Sequence, residues 1–434
     1  MNYQPTKAFA QQMDQQDKLS EFRDEFHIPL SNGKPSIYFC GNSLGAQPKS
    51  VETEIALQME NWRKLGVDGH FYGDTPWYSF HDKMAEKAAP VVGAKPHEVA
   101  IMNTLTVNLH LMMVTFYQPR PGKHKIMMEA GAFPSDQYAV ESQVKFHGYD
   151  PEESIIELSP RDGEKLLRTE DIIEAINTHK DELALIMMGG INYYTGQVYD
   201  MAAIAEVGHK AGIYVGFDLA HIAGNVPVKL HDWDVDFAVW CTYKYMNSSP
   251  GGISGAFIHE RFANNPDLPR FAGWWGHDKE ERFLMEKGFK PVYGAEGWQL
   301  SNYPILLMAA HWASLQIFDK AGIDNLRAKS IEMTNYLEFL VNKINTEVKT
   351  DISIITPTDV NQRGCQLSLV FGQHGRKVFE MISEAGVICD WREPDVIRIA
   401  PVPLYNTFSE VLEFSEILKA SLLKLEEALS AEVN

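Results

Sequence analysis

Short apolar runs alternate with helical patterns through the middle of the chain. Between two of these runs, residues 199–212 space their apolar positions as a helix does, with Asp200 at the N-cap and Gly212 at the end. Strands that are apolar throughout and separated by helices are typical of a parallel sheet covered on both faces. We therefore predict an α/β fold. Its candidate strands are residues 124–130, 183–190, 213–220, 237–243 and 255–260.

The C-terminal third of the chain has a different pattern. A long helical pattern runs over residues 305–345, and an amphipathic helix is predicted from Ser409 to Glu432. Strand-like segments ("CQLSLVF", "VICDW", "VIRIAP") and the helix-like "GRKVFEMISEAG" lie between them. We predict a large domain over residues 51–310 and a small α+β domain over residues 311–434. Residues 1–50 are expected to pack on the small domain.

Composition and charge exclude several classes of protein. The 434 residues are 45% hydrophobic and 22% charged, which fits a soluble protein of about two domains. The formal net charge of −19 disfavours binding to nucleic acids or anionic membranes. The first residues are polar and rich in glutamine, without the apolar core of a secretory signal. His311 and Ser314 interrupt the longest apolar segment, which is too short to span a membrane.

The cysteines indicate the compartment. There are four, they are scattered, and no two form a CxxC pair, so neither a disulfide framework nor a zinc site is expected. We predict reduced thiols, no metal and a cytoplasmic location. The cysteines are Cys40, Cys241, Cys365 and Cys389.

Two charged residues follow neighbouring predicted strands. Asp218 ends "IYVGFD", and Lys244, next to Tyr243, ends the following apolar run. Ligands of open parallel sheets bind at the carboxyl ends of the strands. Pyridoxal 5'-phosphate (PLP) requires such a pair: the lysine forms a Schiff base, and the aspartate keeps the pyridine nitrogen protonated. Taken singly, a lysine after a strand is usually solvated, and an aspartate there is usually a cap.

Two further segments offer contacts for the same cofactor. Thr104 and Thr106 precede an apolar helical run, and the N–H groups of a helix start suit a phosphate. In "AGAFPSDQYA", Phe133 could lie on the pyridine ring and Asp136 could reach its polar edge. The alternatives are a plain threonine N-cap and a proline turn with a buried phenylalanine.

One motif suggests a metal instead. Asp232, Asp234 and Asp236 alternate in "HDWDVDF", a spacing that can hold a divalent cation. These aspartates lead into a predicted strand and do not follow one. A solvated edge before the strand is the favoured interpretation.

A series of motifs, in order from about residue 38 to 408, resembles kynureninase. This family has the aspartate-aminotransferase-like fold (fold type I) of PLP enzymes. The resemblance implies a large PLP-binding domain with a mostly parallel seven-stranded sheet flanked by helices, and a smaller α+β C-terminal domain. The motifs are "GNSLG" (41–45), "NTLTVNLHLMM" (103–113), "AFPSD" (132–136), "YYTGQ" (193–197), "VGFDLAHIAGN" (215–225), "WCTYKYMN" (240–247), "GGISGAFIHE" (251–260), "GWWGH" (273–277), "LSNYPILL" (300–307) and "IRIAPVPLYNTF" (397–408).

The resemblance implies a role for each matching residue. Lys244 would be the Schiff-base lysine, Asp218 the partner of the pyridine nitrogen, and Tyr243 a residue lining the cofactor. We further predict that the Tyr243 phenol, close to a cation and a phosphate, transfers protons. Arg398 would hold the substrate α-carboxylate through a two-pronged contact. The other implied cofactor contacts are Leu105, Thr106, Phe133, Asp136, His221, Trp274 and Asn302, and the residues implied near the substrate's aryl ring are Ser43, His70 and Asn302.

The resemblance also implies an assembly and a reaction. Trp274 and Asn302 would reach the site from a partner subunit, which implies a homodimer. The expected reaction is hydrolysis of L-kynurenine or 3-hydroxykynurenine to anthranilate or 3-hydroxyanthranilate and L-alanine, in tryptophan breakdown or NAD precursor supply. Some relatives have a serine that contacts the cofactor where this chain has Gly189.

Two rival functions follow from the same fold. A cysteine desulfurase or selenocysteine lyase shares the Asp–Lys pair but needs a mobile nucleophilic cysteine in the small domain. Cys365 and Cys389 lie in apolar strand patterns, so we predict that both are buried and inert. A binding protein that has kept the PLP fold without activity is the other rival. Intact Lys244, Asp218 and Arg398 argue against it.

Overall fold

The computed structural model describes residues 2–433, and the side chains of residues 2–431. The chain forms two compact units. The larger comprises Ser50–Tyr193 and Tyr199–Asp319, and the smaller comprises the chain up to Lys49, residues 194–198 and the chain from Lys320 onward. The division falls at 319, later than the position near 310 that the sequence pattern indicated. The sequence pattern gave no sign that residues 194–198 belong to the smaller unit.

The larger unit is built on a seven-stranded sheet in the order β1-β7-β6-β5-β4-β2-β3. The strands from β6 to β3 in this order pair in parallel, and β7 runs antiparallel to both β6 and β1. This confirms the predicted α/β fold with a mostly parallel sheet. The strands are β1 (Val99–Met102), β2 (Lys125–Glu129), β3 (Ile155–Leu158), β4 (Leu183–Gly189), β5 (Tyr214–Asp218), β6 (Phe237–Cys241) and β7 (Ser254–Ile258).

Helices flank this sheet because its central strands are apolar on both faces. Every residue of β4, β6 and β7 is buried. The helix Leu105–Phe116, itself apolar nearly throughout, packs against β6 and β7. The α-helices are Ser50–Leu65, Phe80–Ala88, Leu105–Phe116, Pro134–Phe146, Pro151–Ser154, Thr169–His179, Met201–Lys210 and Ile305–Ala321. The 3₁₀ helices are Gly66–His70, Trp77–Ser79, Ala89–Val92, Pro96–Glu98, Glu260–Phe262, Trp274–Gly276, Arg282–Leu284 and Ala295–Trp298.

One predicted helix start is present in the structure, and one predicted helical segment is divided into two helices. The Asp200 side chain accepts a hydrogen bond from the Ala203 amide and caps Met201–Lys210, as predicted. The single helix expected over residues 305–345 is instead two, Ile305–Ala321 and Ile323–Val348. Gly322 separates them at φ +74°, a positive φ that glycine adopts readily and that interrupts the helical path.

The smaller unit has a four-stranded antiparallel sheet in the order β8-β9-β11-β10. Its strands are β8 (Ser353–Ile354), β9 (Leu367–Val370), β10 (Asp390–Arg392) and β11 (Val396–Ile399). Its α-helices are Lys7–Gln16, Ile323–Val348, Gly375–Glu384 and Phe408–Val433, and its 3₁₀ helices are Ser20–Glu25, Val360–Gln362 and Gly372–His374. Its two-residue strand pairs are Phe26–His27 with Gln47–Pro48, Leu30–Ser31 with Lys34–Pro35, and Ile37–Tyr38 with Val387–Ile388.

The N-terminal segment is part of this smaller unit. Ala10 and Met13 of the first helix enter the same apolar core as Leu418 and Leu422 of the last helix. Ile37–Tyr38 also adds a parallel strand to Val387–Ile388. Among residues 2–433, no helix is both long enough and apolar enough to cross a membrane.

Candidate active site

A cavity of about 200 Å³ opens in the larger unit where four neighbouring strands end. Glu129, Gly189 and Asp218 end β2, β4 and β5, and Cys241 ends β6. This is the edge at which parallel sheets bind ligands. The cavity is lined by Thr104, Leu105, Thr106, Glu129, Phe133, Ser135, Asp136, Gly189, Ile191, Tyr193, Asp218, Ala220, His221, Cys241, Tyr243, Lys244, Gly251 and Ser254.

Lys244 reaches the cavity from the loop that follows β6. Its side chain is buried, and Nζ lies 3.0 Å from Nε2 of His221. Nζ also lies 5.6 Å from the ring centroid of Phe133. The amine therefore lies close to both an imidazole and an aromatic ring in the cavity, where a planar cofactor could reach it.

The backbone after β6 fixes where this lysine points. The Asn247 amide donates to the Lys244 carbonyl at 3.0 Å, and the Ser248 amide donates to the Thr242 carbonyl at 3.1 Å. Asn247 has φ +52°, which asparagine tolerates better than most residues. The segment "TYKYMNS" is thus a closed turn, from which the Tyr243 and Lys244 side chains line the cavity.

Asp218 lies on the adjacent strand and points into the same cavity. In register, β5 places Asp218 between Gly189 of β4 and Val239 of β6. The Ala220 amide donates to its Oδ1 at 2.6 Å. Burial raises the pKa of Asp218, against the lowering effects of this amide and of the Lys244 charge. The predicted pairing of Asp218 with Lys244 at one cavity is present.

Three carboxyl groups share this cavity with one amine. Burial raises the pKa of Glu129 to about 7. Burial and the adjacent Asp218 carboxyl hold the pKa of Asp136 well above its usual range. Asp136 Oδ1 is buried and has no hydrogen-bond donor among the described residues. A ligand that brings a donor to Asp136 Oδ1 would therefore satisfy this side of the cavity.

The start of a helix supplies donors to the same cavity. Thr104 is the N-cap of Leu105–Phe116, and its side chain makes no capping bond with the helix amides. The hydroxyl of Ser254, on β7, is buried and has no hydrogen-bond partner among the described residues. Amides of a first helical turn together with hydroxyl groups form an anion site.

Tyr243 lines the cavity beside Lys244. Burial raises the pKa of its phenol above the ordinary value, and the neighbouring Cys241 thiol adds to this effect. The phenol is therefore neutral at physiological pH. It can donate its proton first and can act as a base only after it has done so.

These features fit PLP. A protonated pyridine nitrogen supplies a donor of the kind that would satisfy Asp136 Oδ1, and a phosphate suits the helix start. A lysine amine is available for a covalent link, and an aromatic ring lies over it. The residues that the structure brings together around the cavity are Leu105, Thr106, Phe133, Asp136, Asp218, His221, Tyr243 and Lys244.

Three predicted residues of the larger unit lie elsewhere in the subunit and do not line this cavity. His70 Nδ1 lies 3.0 Å from the Val67 carbonyl, and its ring packs edge-on against Trp77. Trp274 is 44% exposed and donates from Nε1 to the Arg282 carbonyl at 2.9 Å. Asn302 is exposed.

The remaining two, Ser43 and Arg398, lie together in the smaller unit. Arg398 Nη2 donates to Ser43 Oγ at 3.1 Å, and the guanidinium is only 1% exposed. Arg398 also makes two hydrogen bonds to the carboxylate of Asp390. The resemblance named both residues but gave them different roles, Arg398 at the α-carboxylate and Ser43 near the aryl ring. It indicated neither their contact nor Asp390.

Sequence reasoning also missed Glu129, although the signal that found Asp218 was present there. Both are acidic residues that end an apolar strand of the same sheet. The two Glu129 carboxylate oxygens accept the Gly189 amide at 3.2 Å. A Cβ atom at position 189 would lie 2.8 Å from Oε1 of Glu129, so any larger residue there requires this carboxyl group to move. In this chain, the Glu129 carboxyl group takes up the space beside Gly189.

The structure accounts for the competing motifs with other contacts. Asp234 and Asp236 form ion pairs with Arg261, and Asp236 accepts the Val215 amide. Cys365 and Cys389 are buried as predicted, and burial raises the pKa of both thiols, that of Cys365 to about 11. Neither cysteine is an exposed nucleophile.

Two solved structures with a similar fold are cysteine desulfurases. The cysteine desulfurase CsdA of Escherichia coli superposes with a TM-score of 0.74 at 16% identity, covering 94% of this chain and 99% of that one. A cysteine desulfurase from Thermococcus onnurineus gives the same TM-score and identity, covering 92% and 97%. At this identity the similarity establishes the fold alone.

Sequence relatives are much closer. Residues 326–418 match the family model of the kynureninase C-terminal domain. The kynureninase of Flavobacterium psychrophilum is 54% identical, covering 98% of this chain and all of that protein. The kynureninase of Mus musculus is 46% identical, covering 97% of this chain and 95% of that protein. With such identity over nearly its whole length, the chain belongs to the kynureninase family of PLP-dependent enzymes.

Proposed function

We propose that this enzyme hydrolyses the Cβ–Cγ bond of L-kynurenine, or of its 3-hydroxy derivative, to give L-alanine and anthranilate or 3-hydroxyanthranilate. One observation carries the proposal: Lys244, Asp218 and Tyr243 line a single cavity in a chain of this family. We also infer that it acts in the cytoplasm, in tryptophan breakdown or NAD precursor supply.

Different residues of the chain would bind different parts of PLP. Lys244 would bind it covalently, Phe133 and His221 would contact its ring, and Asp218 and Asp136 would hold its nitrogen. The helix start at Leu105 and Thr106 would hold the phosphate. When bound, PLP accepts the electron pair that is released at the substrate carbon bearing the amine.

Proton transfers are assigned to two neighbouring side chains. The Lys244 amine, next to His221, takes the proton from the substrate Cα. The neutral Tyr243 phenol exchanges protons with the oxygen of the γ-carbonyl while water adds to that carbon and the Cβ–Cγ bond breaks. The raised pKa of Tyr243 suits this order, because the phenol begins each cycle with its proton.

Substrate recognition is assigned to residues outside the cavity lining. Arg398 holds the α-carboxylate, and the arginine fork suits a carboxylate better than lysine would. Ser43, His70 and Asn302 are proposed to contact the aryl part of the substrate.

We propose that two copies of the chain form a homodimer in which Trp274 and Asn302 enter the partner's site. Both are exposed in the single chain, and apolar side chains near Trp274 are exposed with it. Phe283, Leu284 and Met285 are between 47% and 72% exposed. A surface of this kind is typical of a subunit interface. Sedimentation of the purified holoenzyme tests the dimer.

The activity is tested by mixing the purified holoenzyme with L-kynurenine and following anthranilate and L-alanine. We expect equal amounts of the two products. Release of sulfide from L-cysteine in place of this reaction would identify a desulfurase, and a protein that stays colourless with added PLP would identify an inactive relative. Steady-state constants for kynurenine and 3-hydroxykynurenine decide the preferred substrate.

Replacing Tyr243 with phenylalanine is expected to slow turnover about 10²-fold, the lower end of what a general acid contributes. The cofactor should stay bound, because the Tyr243 phenol is not its covalent anchor. Turnover and the near-visible absorbance of the holoenzyme measure the two effects. Tyr193→Phe, which removes the other phenol lining the cavity, is the matched control. Near-normal turnover of Tyr243→Phe excludes the acid role.

A further inference from the structure

Asp390 binds one edge of the Arg398 guanidinium through two hydrogen bonds. The two residues lie directly opposite each other in the antiparallel pair β10–β11. Arg398 Nε donates to Asp390 Oδ1 at 3.2 Å, and Arg398 Nη2 donates to Asp390 Oδ2 at 2.6 Å. Two parallel bonds fix the plane of the guanidinium as well as its position.

The same carboxylate gathers two further donors. Arg392 Nη2 donates to Asp390 Oδ2 at 3.0 Å, and Ser43 Oγ donates to the same oxygen. The Asp390 side chain is 9% exposed, so these bonds form largely out of water. One carboxylate between two guanidinium groups leaves the cluster with a single excess positive charge, which matches one ligand carboxylate.

We propose that Asp390 is a positioning residue for the substrate α-carboxylate: it holds Arg398 in its binding orientation before the substrate arrives. This rests on the proposed function, in which Arg398 binds that carboxylate. A long side chain that is already immobilised loses less entropy on binding, so its contact with the ligand is stronger. Asp390 touches neither the substrate nor the cofactor in this role.

The test distinguishes a role of Asp390 in orienting Arg398 from a role in stabilising the fold. Binding of L-alanine, the proposed product, is compared by calorimetry with binding of ethylamine, which is alanine without its carboxylate. In Asp390→Ala holoenzyme, we expect roughly 10-fold weaker binding of L-alanine and unchanged binding of ethylamine. KM for L-kynurenine should rise by a similar factor, with a smaller change in kcat. Asp390→Asn keeps one acceptor oxygen and should lose less.

Glu338→Ala is the matched control. Glu338 pairs at 2.8 Å with Arg363, a guanidinium of the same unit that is as buried as Arg398. Its loss should lower the melting temperature without changing the ratio of the two affinities. If Asp390→Ala does not fold, Asp390→Asn carries the test with the same two ligands.

Arg398→Ala distinguishes the failure of this inference from that of the proposed function. If Arg398→Ala removes the preference for L-alanine but the Asp390 variants keep it, the positioning role is wrong and the proposed role of Arg398 stands. If Arg398→Ala keeps the preference, both are wrong. Tighter binding of L-alanine by Asp390→Ala also overturns the inference, since Asp390 would then compete with the ligand carboxylate.

Discussion

Lys244→Ala is expected to lose the near-visible absorbance of the holoenzyme and to lower turnover by roughly 10⁴-fold or more. Among the described residues that line the cavity, Lys244 is the one lysine, and its amine lies 3.0 Å from His221 Nε2 and 5.6 Å from the centre of the Phe133 ring. Alanine removes both the covalent anchor and the base for the substrate Cα proton. No other described amine lines the cavity to replace it.

Lys125→Ala is the matched control for this experiment. Lys125 begins β2 of the same sheet, at the end opposite to Glu129, and it pairs with Glu182 near the surface. Its loss should leave absorbance and turnover nearly unchanged. A Lys244→Ala protein that keeps the absorbance band after dialysis would refute the covalent role, and with it the order of steps proposed above.

Much of the larger unit could be predicted because its strands carry a simple signal. All five strands predicted there are present. Each is an apolar run, and each has a neighbouring strand on both sides in the sheet. The two strands that were missed, Val99–Met102 and Ile155–Leu158, lie at the sheet's edges and have four residues each. Ile155–Leu158 is only partly buried, so its apolar pattern is weak. Short edge strands depend on neighbours that are distant in sequence.

The sequence pattern predicted only those site residues that occupy a recognisable position next to a strand. Asp218 and Lys244 each follow an apolar strand, and parallel pairing of adjacent strands brings such positions together. Ser43 and Arg398 are 355 residues apart, so only the resemblance to known relatives named them as site residues, and it did not indicate that they touch. Asp390 was missed for a related reason: its role depends on the β10–β11 register and on Ser43, neither of which a local pattern reveals.

The second large effect is expected when the charge of Asp218 is removed from the cavity. Asp218→Asn keeps the size of the side chain but removes the charge that holds a proton on the pyridine nitrogen. We expect turnover to fall by about 10²- to 10³-fold, the scale on which one preorganised electrostatic contact acts. The covalent anchor at Lys244 is untouched, so the near-visible absorbance should persist. Turnover and absorbance spectra of the same preparation measure both outcomes.

Glu129→Gln tests whether this loss belongs to Asp218 or to negative charge in general. Glu129 ends the neighbouring strand β2 in the same cavity, and burial raises its pKa to about 7. At pH 6 it already carries its proton for the most part, so glutamine replaces a neutral group and turnover should change less than about 10-fold. Equal losses in the two variants would mean that the cavity responds to its total charge. A specific loss at Asp218 instead follows from its proposed place at the pyridine nitrogen. Burial raises the pKa of Asp218, while the Ala220 amide and the Lys244 charge favour its carboxylate form.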